Sequence, residues 1–261
     1  MSQRLNCVIH TPEEIVRIRR AAELTAQVRD ELPKLAAPGM STLELDQIAG
    51  ALIARTGGRS AFLGYCGYPG NVCISLNEEV VHGIGRADRI MTADDIVSVD
   101  IGVEIDGACG DTAVTFALRP PEEVPAKVKH LLDSTRSALM AGLQAAKAGK
   151  YIRDISAAIE AVGRKAHLGI VEDYVGHGCG IHLHEPPEVP NFVSRGRGAE
   201  LKPGMVLAVE PMFTLGTHLV VTDAEDHWTV RTRDGKLSAH FEHMVLITEN
   251  EPEILTWPKT T

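Results

Sequence analysis

Four acidic side chains stand within apolar stretches of the sequence, where an unpaired charge is costly. Asp100 lies in IVSVDIGVEI and Asp111 in ACGDTAV, while Glu210 lies in VLAVEPM and Glu242 in SAHFEHMVLI. We expect Glu210 and Glu242 to lie inside apolar strands, and Pro211 favours an extended backbone at Glu210. A glutamate in such a strand needs a paired charge or a metal ion, which makes these positions candidates for a functional site.

The spacing of the two aspartates predicts that they share one face of a β-hairpin. Apolar and polar residues alternate from Val97 onwards, which indicates a half-buried strand, and Asp-Gly at 106–107 is a strong two-residue turn. That register places Asp111 opposite Gly102, one diagonal step from Asp100. A cation between the carboxylates, or a proton on one, would relieve their repulsion. Taken alone, the pair would also fit a turn or surface aspartate.

A glycine-rich loop adds imidazole groups to these carboxylates. GHGCGIHLHEPP carries His177, His182 and His184, and imidazole suits first-row transition metals. Four carboxylates neutralise two divalent ions, and such a pair activates water and polarises a carbonyl, which favours amide hydrolysis. Cobalt, manganese, iron and zinc all accept these ligands. The pattern therefore predicts a two-metal site with the ligands Asp100, Asp111, His177, Glu210 and Glu242.

The elements that would position these groups follow the order helix, helix, strands, and then the same order again. Thr11-Pro12-Glu13-Glu14 predicts a capped helix start, and Ser41 with Glu44 predicts another. Apolar stripes follow Gly39 and Gly149 at the same offset, which favours an internal repeat, although many amphipathic helices would match equally well. We expect helices at 11–35, 41–57, 122–148 and 151–168, and strands at 72–77, 80–84, 96–118, 170–175, 205–213, 218–222, 228–233 and 237–248, with a second hairpin at Asp234-Gly235.

Composition narrows the classes of protein. The 261 residues carry a net charge of −9, which argues against nucleic acid as a main partner, although a local basic patch around Arg195 and Arg197 remains compatible. No apolar stretch is long enough to span a membrane, and the N-terminus has no signal-peptide pattern. The five cysteines suggest neither a disulfide framework nor a zinc knuckle, so a cytoplasmic location fits best.

Five ordered motifs carry a family resemblance. They are FLGYCGYPGNVCISLNEEVVHGI, VSVDIGVEIDGACGDTAVTF, GHGCGIHLHEPPEVP, VLAVEPM and HFEHMVLIT. Together they resemble the methionine aminopeptidases of the "pita-bread" metallopeptidases, from about Thr11 to Thr248. With no long insertion between His184 and Glu210, the chain looks like the type I, bacterial-style subclass.

The resemblance implies an α+β, pita-bread (creatinase/aminopeptidase) fold with pseudo-two-fold symmetry, antiparallel sheets and helices on the outer face. We expect a short N-terminal segment at 1–11, a single catalytic domain at 12–250 and a C-terminal tail at 251–261. The implied activity is removal of the N-terminal methionine from nascent proteins by a metal-activated water. The implied partners are nascent polypeptides, at the ribosome, and the implied state is a monomer.

The resemblance also implies individual roles. The five acidic and histidine ligands match the family's metal ligands, with Asp111 and Glu242 bridging two ions. Glu210 also matches the proton shuttle, His184 the histidine at the scissile carbonyl, and His82 the histidine near the substrate amine. The family's methionine pocket maps to Tyr65, Tyr68, Cys73, Leu183 and Trp228, although Trp228 would also fit plain core.

Some residues depart from the family pattern or have a structural interpretation. Cys66 stands where histidine is usual, Leu183 replaces an aromatic residue, Phe62 takes a position that is often small, and Ser98 replaces a common asparagine. These changes bear on substrate range and rate and are compatible with a specialised paralogue. The remaining histidines of the motifs are expected to be structural or to support the ligands from behind: His182, His240 and His243. Cys179 is expected to fill space rather than to bind metal.

Two other functions fit part of the pattern. A related Xaa-Pro peptidase or creatinase-like hydrolase would use the same metal ligands, but such relatives usually carry a separate N-terminal domain. A non-catalytic binding protein of this fold, such as a ribosome-associated relative, would tend to lose ligands, whereas this sequence keeps all five.

Overall fold

The first two helices begin where local capping chemistry predicts. The computed structural model describes residues 7–257, so parts of the predicted terminal segments lie outside the described residues. The Thr11 Oγ1 accepts from the Glu14 N–H at 3.2 Å, and the Glu14 carboxylate accepts from the Thr11 N–H at 2.8 Å, which completes the predicted capping box. The helices are α1 (Pro12–Leu35), α2 (Thr42–Arg55), α3 (Ala126–Ala145) and α4 (Ile152–Lys165).

Helix α3 begins later than the predicted start near 122. Pro125 occupies its N-cap, and the Glu123 N–H donates to the Pro120 carbonyl in a preceding turn. A proline disfavours helical geometry at the residue before it, so Val124 cannot join the helix. Among the described residues, none of these helices is both long and apolar enough to cross a membrane.

Antiparallel strands make up four sheets in the part of the chain that the structure describes. The strands are β1 (Arg59–Ser60), β2 (Cys73–Leu76), β3 (Glu79–Val81), β4 (Ile96–Ile105), β5 (Ala108–Ala117), β6 (Gly169–Ile170), β7 (Gly176–Gly178), β8 (Glu185–Val189), β9 (Val206–Val209), β10 (Met212–Thr214), β11 (Val220–Thr222), β12 (Val230–Thr232), β13 (Ser238–His240), β14 (His243–Leu246) and β15 (Glu253–Ile254). The first sheet has the order β1-β4-β2 with β5 paired to β4, and the others have the orders β13-β10-β6, β11-β12-β3 and β15-β14-β9-β7-β8.

The second predicted hairpin is wrong. A turn does form before Gly235, whose N–H donates to the Thr232 carbonyl at 3.3 Å. However, β12 pairs with β11 and β3, whereas β13 pairs with β10 in another sheet. The Asp234 carboxylate accepts from the N–H groups of Thr217 and Lys236, so its turn chemistry serves a loop rather than a hairpin. The strand predicted at 170–175 is also shorter, ending at Ile170.

The two halves repeat one backbone arrangement, which confirms the pseudo-two-fold prediction. Gly39 donates to the Met91 carbonyl, and Gly149 donates to the Leu201 carbonyl. Two isolated bridges follow, Ser41 with Ile90 in the first half and Tyr151 with Glu200 in the second. Each residue of the first bridge precedes its counterpart in the second by as many residues as Gly39 precedes Gly149. Asp100 precedes Glu210 by the same number of residues, so these two acids occupy corresponding places in the two halves.

The helices cover one side of the sheets in both halves. Val97, Val99 and Ile101 of β4 are buried in one cluster with Leu32 of α1 and Leu45 of α2. In the second half, α3 and α4 form a cluster with β9, β10 and β13. The hairpin was expected to be half-buried, but Ser98 on its polar face is also buried. Its polar face is covered because it packs toward the second half of the chain.

The C-terminal residues that the structure describes pack against the body of the protein. Strand β15 pairs with β14, and the buried Thr256 accepts through its hydroxyl from the Met244 N–H at 3.1 Å. The division of the chain at residues 11 and 250 stays a prediction.

Candidate active site

All twelve residues predicted for the site line one cavity of about 230 Å³ between the two halves. The hairpin register is confirmed: Asp100 lies opposite Ala113 and Asp111 opposite Gly102. The two aspartates therefore project from one face of the hairpin into the cavity. The structure brings together Tyr65, Tyr68, Cys73, His82, Asp100, Asp111, His177, Leu183, His184, Glu210, Trp228 and Glu242.

Glu210 and Glu242 lie where strands break, not inside continuous strands as predicted. The chain leaves β9 at Val209, passes through Glu210 and Pro211, and enters β10 in another sheet. It makes the reverse change at Phe241 and Glu242, between β13 and β14. Pro211 has no N–H to donate to a neighbouring strand, which accounts for the break between β9 and β10. Each break turns a carboxylate out of a sheet and into the cavity.

Hydrogen bonds to the Glu242 backbone fix this residue against the hairpin. The Glu242 N–H donates to the Ala113 carbonyl at 3.0 Å, and the Thr112 hydroxyl donates to the Glu242 carbonyl at 2.7 Å. Thr112 follows Asp111 directly, so the two acids that come from different halves are held by neighbouring backbone groups. His177 in β7 pairs with Ala208 in β9, which places its ring beside Glu210.

His177 lies close to three of the four acidic groups, which are Asp111, Glu210 and Glu242. Asp111, His177 and Glu242 each offer a donor atom, and these atoms lie within 4.8 Å of one another. The His177 Nε2 lies 3.7 Å from the Asp111 Oδ2 and 3.5 Å from the Glu210 Oε1. On the other side of Glu210, the His240 Nε2 lies 3.3 Å from its Oε2. Glu210 thus lies between His177 and His240.

Burial of several acids together shifts their proton affinities upward. Burial, together with the charge of Glu210, raises the pKa of Asp100 to about 7. Burial also raises the pKa of Glu210 to about 8. For Asp111 and Glu242, burial and the neighbouring carboxylates raise the pKa well above the usual range. In the metal-free protein these groups therefore retain protons that a bound cation would displace.

The donor atoms left without partners fit divalent metal ions. Among the described residues, the buried Asp100 Oδ1, Asp111 Oδ1 and Glu242 Oε1 have no hydrogen-bond partner. Buried polar atoms normally find one, so three orphaned oxygens at one place indicate a missing positive ligand. Carboxylate oxygens with one imidazole are ligands that manganese, iron, cobalt and zinc accept. The residues present can therefore hold a metal centre.

The two histidines predicted near the substrate lie at the cavity rim and wall. Burial lowers the pKa of His82 to about 4, with the nearby His240 and His184 acting in the same direction. Burial also lowers the pKa of His184, whose ring centroid lies 4.2 Å from that of His177. Both imidazoles are therefore neutral near pH 7, and each offers one N–H donor and one acceptor. Burial likewise lowers the pKa of His177 to about 3, as a metal ligand requires.

Aromatic and sulfur groups form the apolar wall of the cavity. The rings of Tyr68 and Trp228 pack edge to face, with 5.1 Å between their centroids. The ring centroids of Trp228 and His82 lie 6.2 Å apart. Cys73 and Leu183 are both buried in the same hydrophobic cluster as Tyr68. A recess with such soft walls suits an unbranched thioether side chain.

The positions that depart from the family pattern divide into two groups. Phe62, Cys66 and Leu183 line the cavity, so they are placed to affect what enters it. Ser98 does not line the cavity, and its hydroxyl lies 2.8 Å from that of Thr115. Cys66 adopts φ +48°, a left-handed conformation that is uncommon for cysteine.

The histidines expected to be structural have different surroundings. His243 points away from the cavity toward Arg29, with 3.1 Å between the Arg29 Nη1 and the His243 Nδ1. His182 is exposed, and Cys179 is fully buried. His240, by contrast, contacts Glu210 directly, which places it beside the acidic cluster.

Sequence reasoning missed several residues of the site. Tyr174 and Met212 line the cavity, and the ring of Tyr174 lies 5.4 Å from His82. Neither stands in a pattern that would have identified it. Arg29 does not line the cavity, but it contacts the Thr112 hydroxyl next to Asp111. Its burial had a sequence signal, because Arg29 continues the buried stripe of α1 from Thr25 to Leu32.

Comparisons with known proteins agree with this geometry. The family described as Metallopeptidase family M24 matches residues 16–249. Methionine aminopeptidase 1 of Bacillus subtilis (strain 168) is 44% identical over 95% of this chain and 98% of its own length. The structure of methionine aminopeptidase from Rickettsia prowazekii is 34% identical, with a TM-score of 0.92, and covers 97% of this chain and 100% of that chain. The prolidase from Pyrococcus furiosus is 22% identical with a TM-score of 0.77, covers 97% of this chain and 66% of that chain, and shares the fold.

Proposed function

Because the chain belongs to metallopeptidase family M24, we propose that it removes the N-terminal methionine from proteins and peptides by metal-dependent hydrolysis. The observation that carries the proposal is the convergence of four carboxylates and His177 in one cavity that has an aromatic and sulfur-lined wall. The similarity to methionine aminopeptidases over nearly the whole chain supports the substrate.

The proposed metal ligands supply enough negative charge for two divalent ions. Asp111, Glu242 and His177, whose donor atoms lie close together, would hold the ions with Asp100 and Glu210. Two bound ions of this class lower the pKa of water and polarise the scissile carbonyl. Cobalt, manganese, iron and zinc all suit these ligands.

The chain's own residues would then bind the substrate and move protons. Glu210, whose carboxylate lies 3.5 Å from the His177 Nε2 among the proposed metal ligands, would take a proton from the attacking water and pass it to the leaving amine. His184 at the cavity mouth would contact the scissile carbonyl, and His82 would contact the substrate amine. The methionine side chain would lie against Tyr68, Cys73 and the rest of the apolar wall.

We propose that the natural substrates are nascent polypeptides, reached as they leave the ribosome, and that the protein works as a cytoplasmic monomer. New chains carry their N-terminal methionine when they emerge into the cytoplasm, and the cavity mouth carries exposed groups such as Tyr65 that a peptide chain can contact. Small second residues such as glycine, alanine and serine would be accepted best.

One assay tests the methionine assignment. Purified protein with added Mn(II) or Co(II) is expected to release methionine from Met-Gly-Met-Met and to leave Leu-Gly-Met-Met nearly intact. The physical reason is that a branched leucine side chain fits the recess less well than an unbranched thioether. Equal rates on the two peptides would contradict the assignment, and faster cleavage of an Xaa-Pro peptide would favour the related Xaa-Pro peptidase activity.

A further inference from the structure

Tyr65 contacts the histidine at the cavity mouth through its hydroxyl group. The Tyr65 Oη lies 2.9 Å from the His184 Nδ1, and the two ring centroids lie 5.3 Å apart. Among the described residues, no other hydrogen bond to the Tyr65 side chain is found. Tyr65 is 40% exposed, whereas Tyr68 is 3% exposed. Tyr65 therefore lies at the outer part of the cavity lining, beside His184.

The backbone around Tyr65 is a tight turn that holds this side chain in place. Gly64, Cys66 and Gly67 all have positive φ values, of +83°, +48° and +88°. The Tyr65 N–H donates to the Phe62 carbonyl at 2.8 Å, and the Tyr68 N–H donates to the Tyr65 carbonyl at 2.9 Å. A non-glycine residue in a left-handed conformation costs about 1 kcal/mol or more, and such strain is retained mostly at functional sites.

The contact involves one of the two nitrogens of His184 that can carry the proton. A neutral imidazole has one N–H, and the hydrogen bond made by one nitrogen sets the state of the other. When the Tyr65 hydroxyl donates to the His184 Nδ1, the imidazole proton is on Nε2. If instead Nδ1 donated to Tyr65, the Nε2 would present a lone pair and could not donate to a carbonyl oxygen.

We infer that Tyr65 is a positioning residue that holds His184 in the Nε2–H tautomer, so that the imidazole can donate a hydrogen bond to the carbonyl oxygen of the bond being cleaved. This inference rests on the proposed function, in which His184 faces that carbonyl. A donor aimed at an oxygen on which negative charge develops acts mainly in the transition state. Loss of the Tyr65 hydroxyl should therefore lower kcat more than it raises KM.

The first test is Tyr65→Phe, which removes the hydroxyl and keeps the ring. With Mn(II)-loaded protein and Met-Gly-Met-Met, kcat is expected to fall about tenfold, the equivalent of one orienting hydrogen bond, while KM changes less than about twofold. The matched control is Tyr151→Phe, at the start of α4 and outside the cavity lining, which should leave both constants unchanged. A kcat for Tyr65→Phe within about twofold of the original would overturn the inference, as would an increase confined to KM.

A spectroscopic measurement reads the tautomer directly. In Zn(II)-loaded protein labelled with ¹⁵N-histidine, His184 should show a pyridine-type Nδ1 and a pyrrole-type Nε2, assigned by the signals lost in His184→Gln. In Tyr65→Phe the two nitrogen shifts should move toward each other as the second tautomer becomes populated. A protonated Nδ1 in the original protein would overturn the inference whatever the kinetics.

The two proposals fail in different ways. If the original protein cleaves Met-Gly-Met-Met but Tyr65→Phe is equally active, the inference about Tyr65 is wrong and the proposed function stands. If the loaded original protein cleaves no methionine peptide, the proposed function is wrong, and the tautomer measured by NMR still decides whether Tyr65 orients His184.

Discussion

Glu242 is a buried carboxylate whose side chain and backbone have separate roles. It is 2% exposed, and its Oε1 has no hydrogen-bond partner among the described residues. Its N–H and carbonyl, however, bond to Ala113 and Thr112 and hold the backbone in place. The backbone thus keeps the loop folded, while the carboxylate remains free for a cation. This separation makes the residue suitable for a test of function that does not disturb the fold.

We expect Glu242→Gln to lower turnover at least about a thousandfold, because a lost bridging ligand removes several kcal/mol of metal-based stabilisation of the transition state. The same holds for Asp100→Asn. The fold should persist, since the backbone hydrogen bonds of Glu242 are retained, and circular dichroism and thermal unfolding check this. Glu188→Gln, on an exposed position of β8, serves as the control. Near-normal turnover of either site variant would show that the substituted residue is not part of the metal centre.

Local chemistry explains which elements could be predicted from the sequence. The α1 start and the β4–β5 register follow from Thr11 with Glu14 and from the turn at 106–107, which act over a few residues. The strand break at Glu210 could be predicted locally, because Pro211 follows it. The break at Glu242 could not be predicted from neighbouring residues, because it depends on which sheet each half of the predicted strand joins. Strand β8 was missed for the same reason: it lies within the glycine-rich loop and forms only by pairing with β7.

Helix α1 connects both halves of the chain through Arg29. The Arg29 Nη1 donates to the Thr112 hydroxyl and to the Thr256 carbonyl, both at 3.0 Å, and the side chain is nearly fully buried. We expect Arg29→Met to destabilise the protein by about 2 kcal/mol, because it leaves these buried acceptors without their donor. The matched control is Arg20→Met on the same helix, where the side chain is 63% exposed and its loss should cost less than about 0.5 kcal/mol. Urea unfolding measures both, and equal losses would show that the Arg29 contacts contribute nothing specific.

At the scale of the whole molecule, the candidate site lies where the two halves meet. The Thr115 hydroxyl donates to the His240 carbonyl at 2.7 Å and accepts from the His240 N–H at 2.8 Å, which joins β5 to the second half. Acids from both halves then face one another with raised pKa values. The interface therefore carries an electrostatic cost in the metal-free protein that bound cations would remove.

This cost predicts how the stability of the metal-free protein depends on pH. The folded-state pKa values of about 7 for Asp100 and about 8 for Glu210 lie above their ordinary values of 3.8 and 4.5. A raised carboxyl pKa contributes stability that is present at low pH and is lost as pH rises through the folded-state value. Histidines with lowered pKa values, such as His177 and His82, act in the opposite direction, but mainly below their unfolded value of 6.5.

We therefore expect the melting temperature of chelator-treated protein to fall as the pH rises from 7 to 8. In this range the histidines no longer change the stability much with pH, whereas the buried carboxyl groups are still losing their protons and their contribution to stability. Protein saturated with Mn(II) should lose less, because the cation replaces the protons and stabilises the fold by mass action. Calorimetry at pH 7.0, 7.5 and 8.0, with and without metal, measures the difference. Glu242→Gln removes one of the repelling acids, so its metal-free melting temperature should fall less steeply. A metal-free melting temperature that stays level or rises over this window would mean that the four carboxylates do not share a buried site.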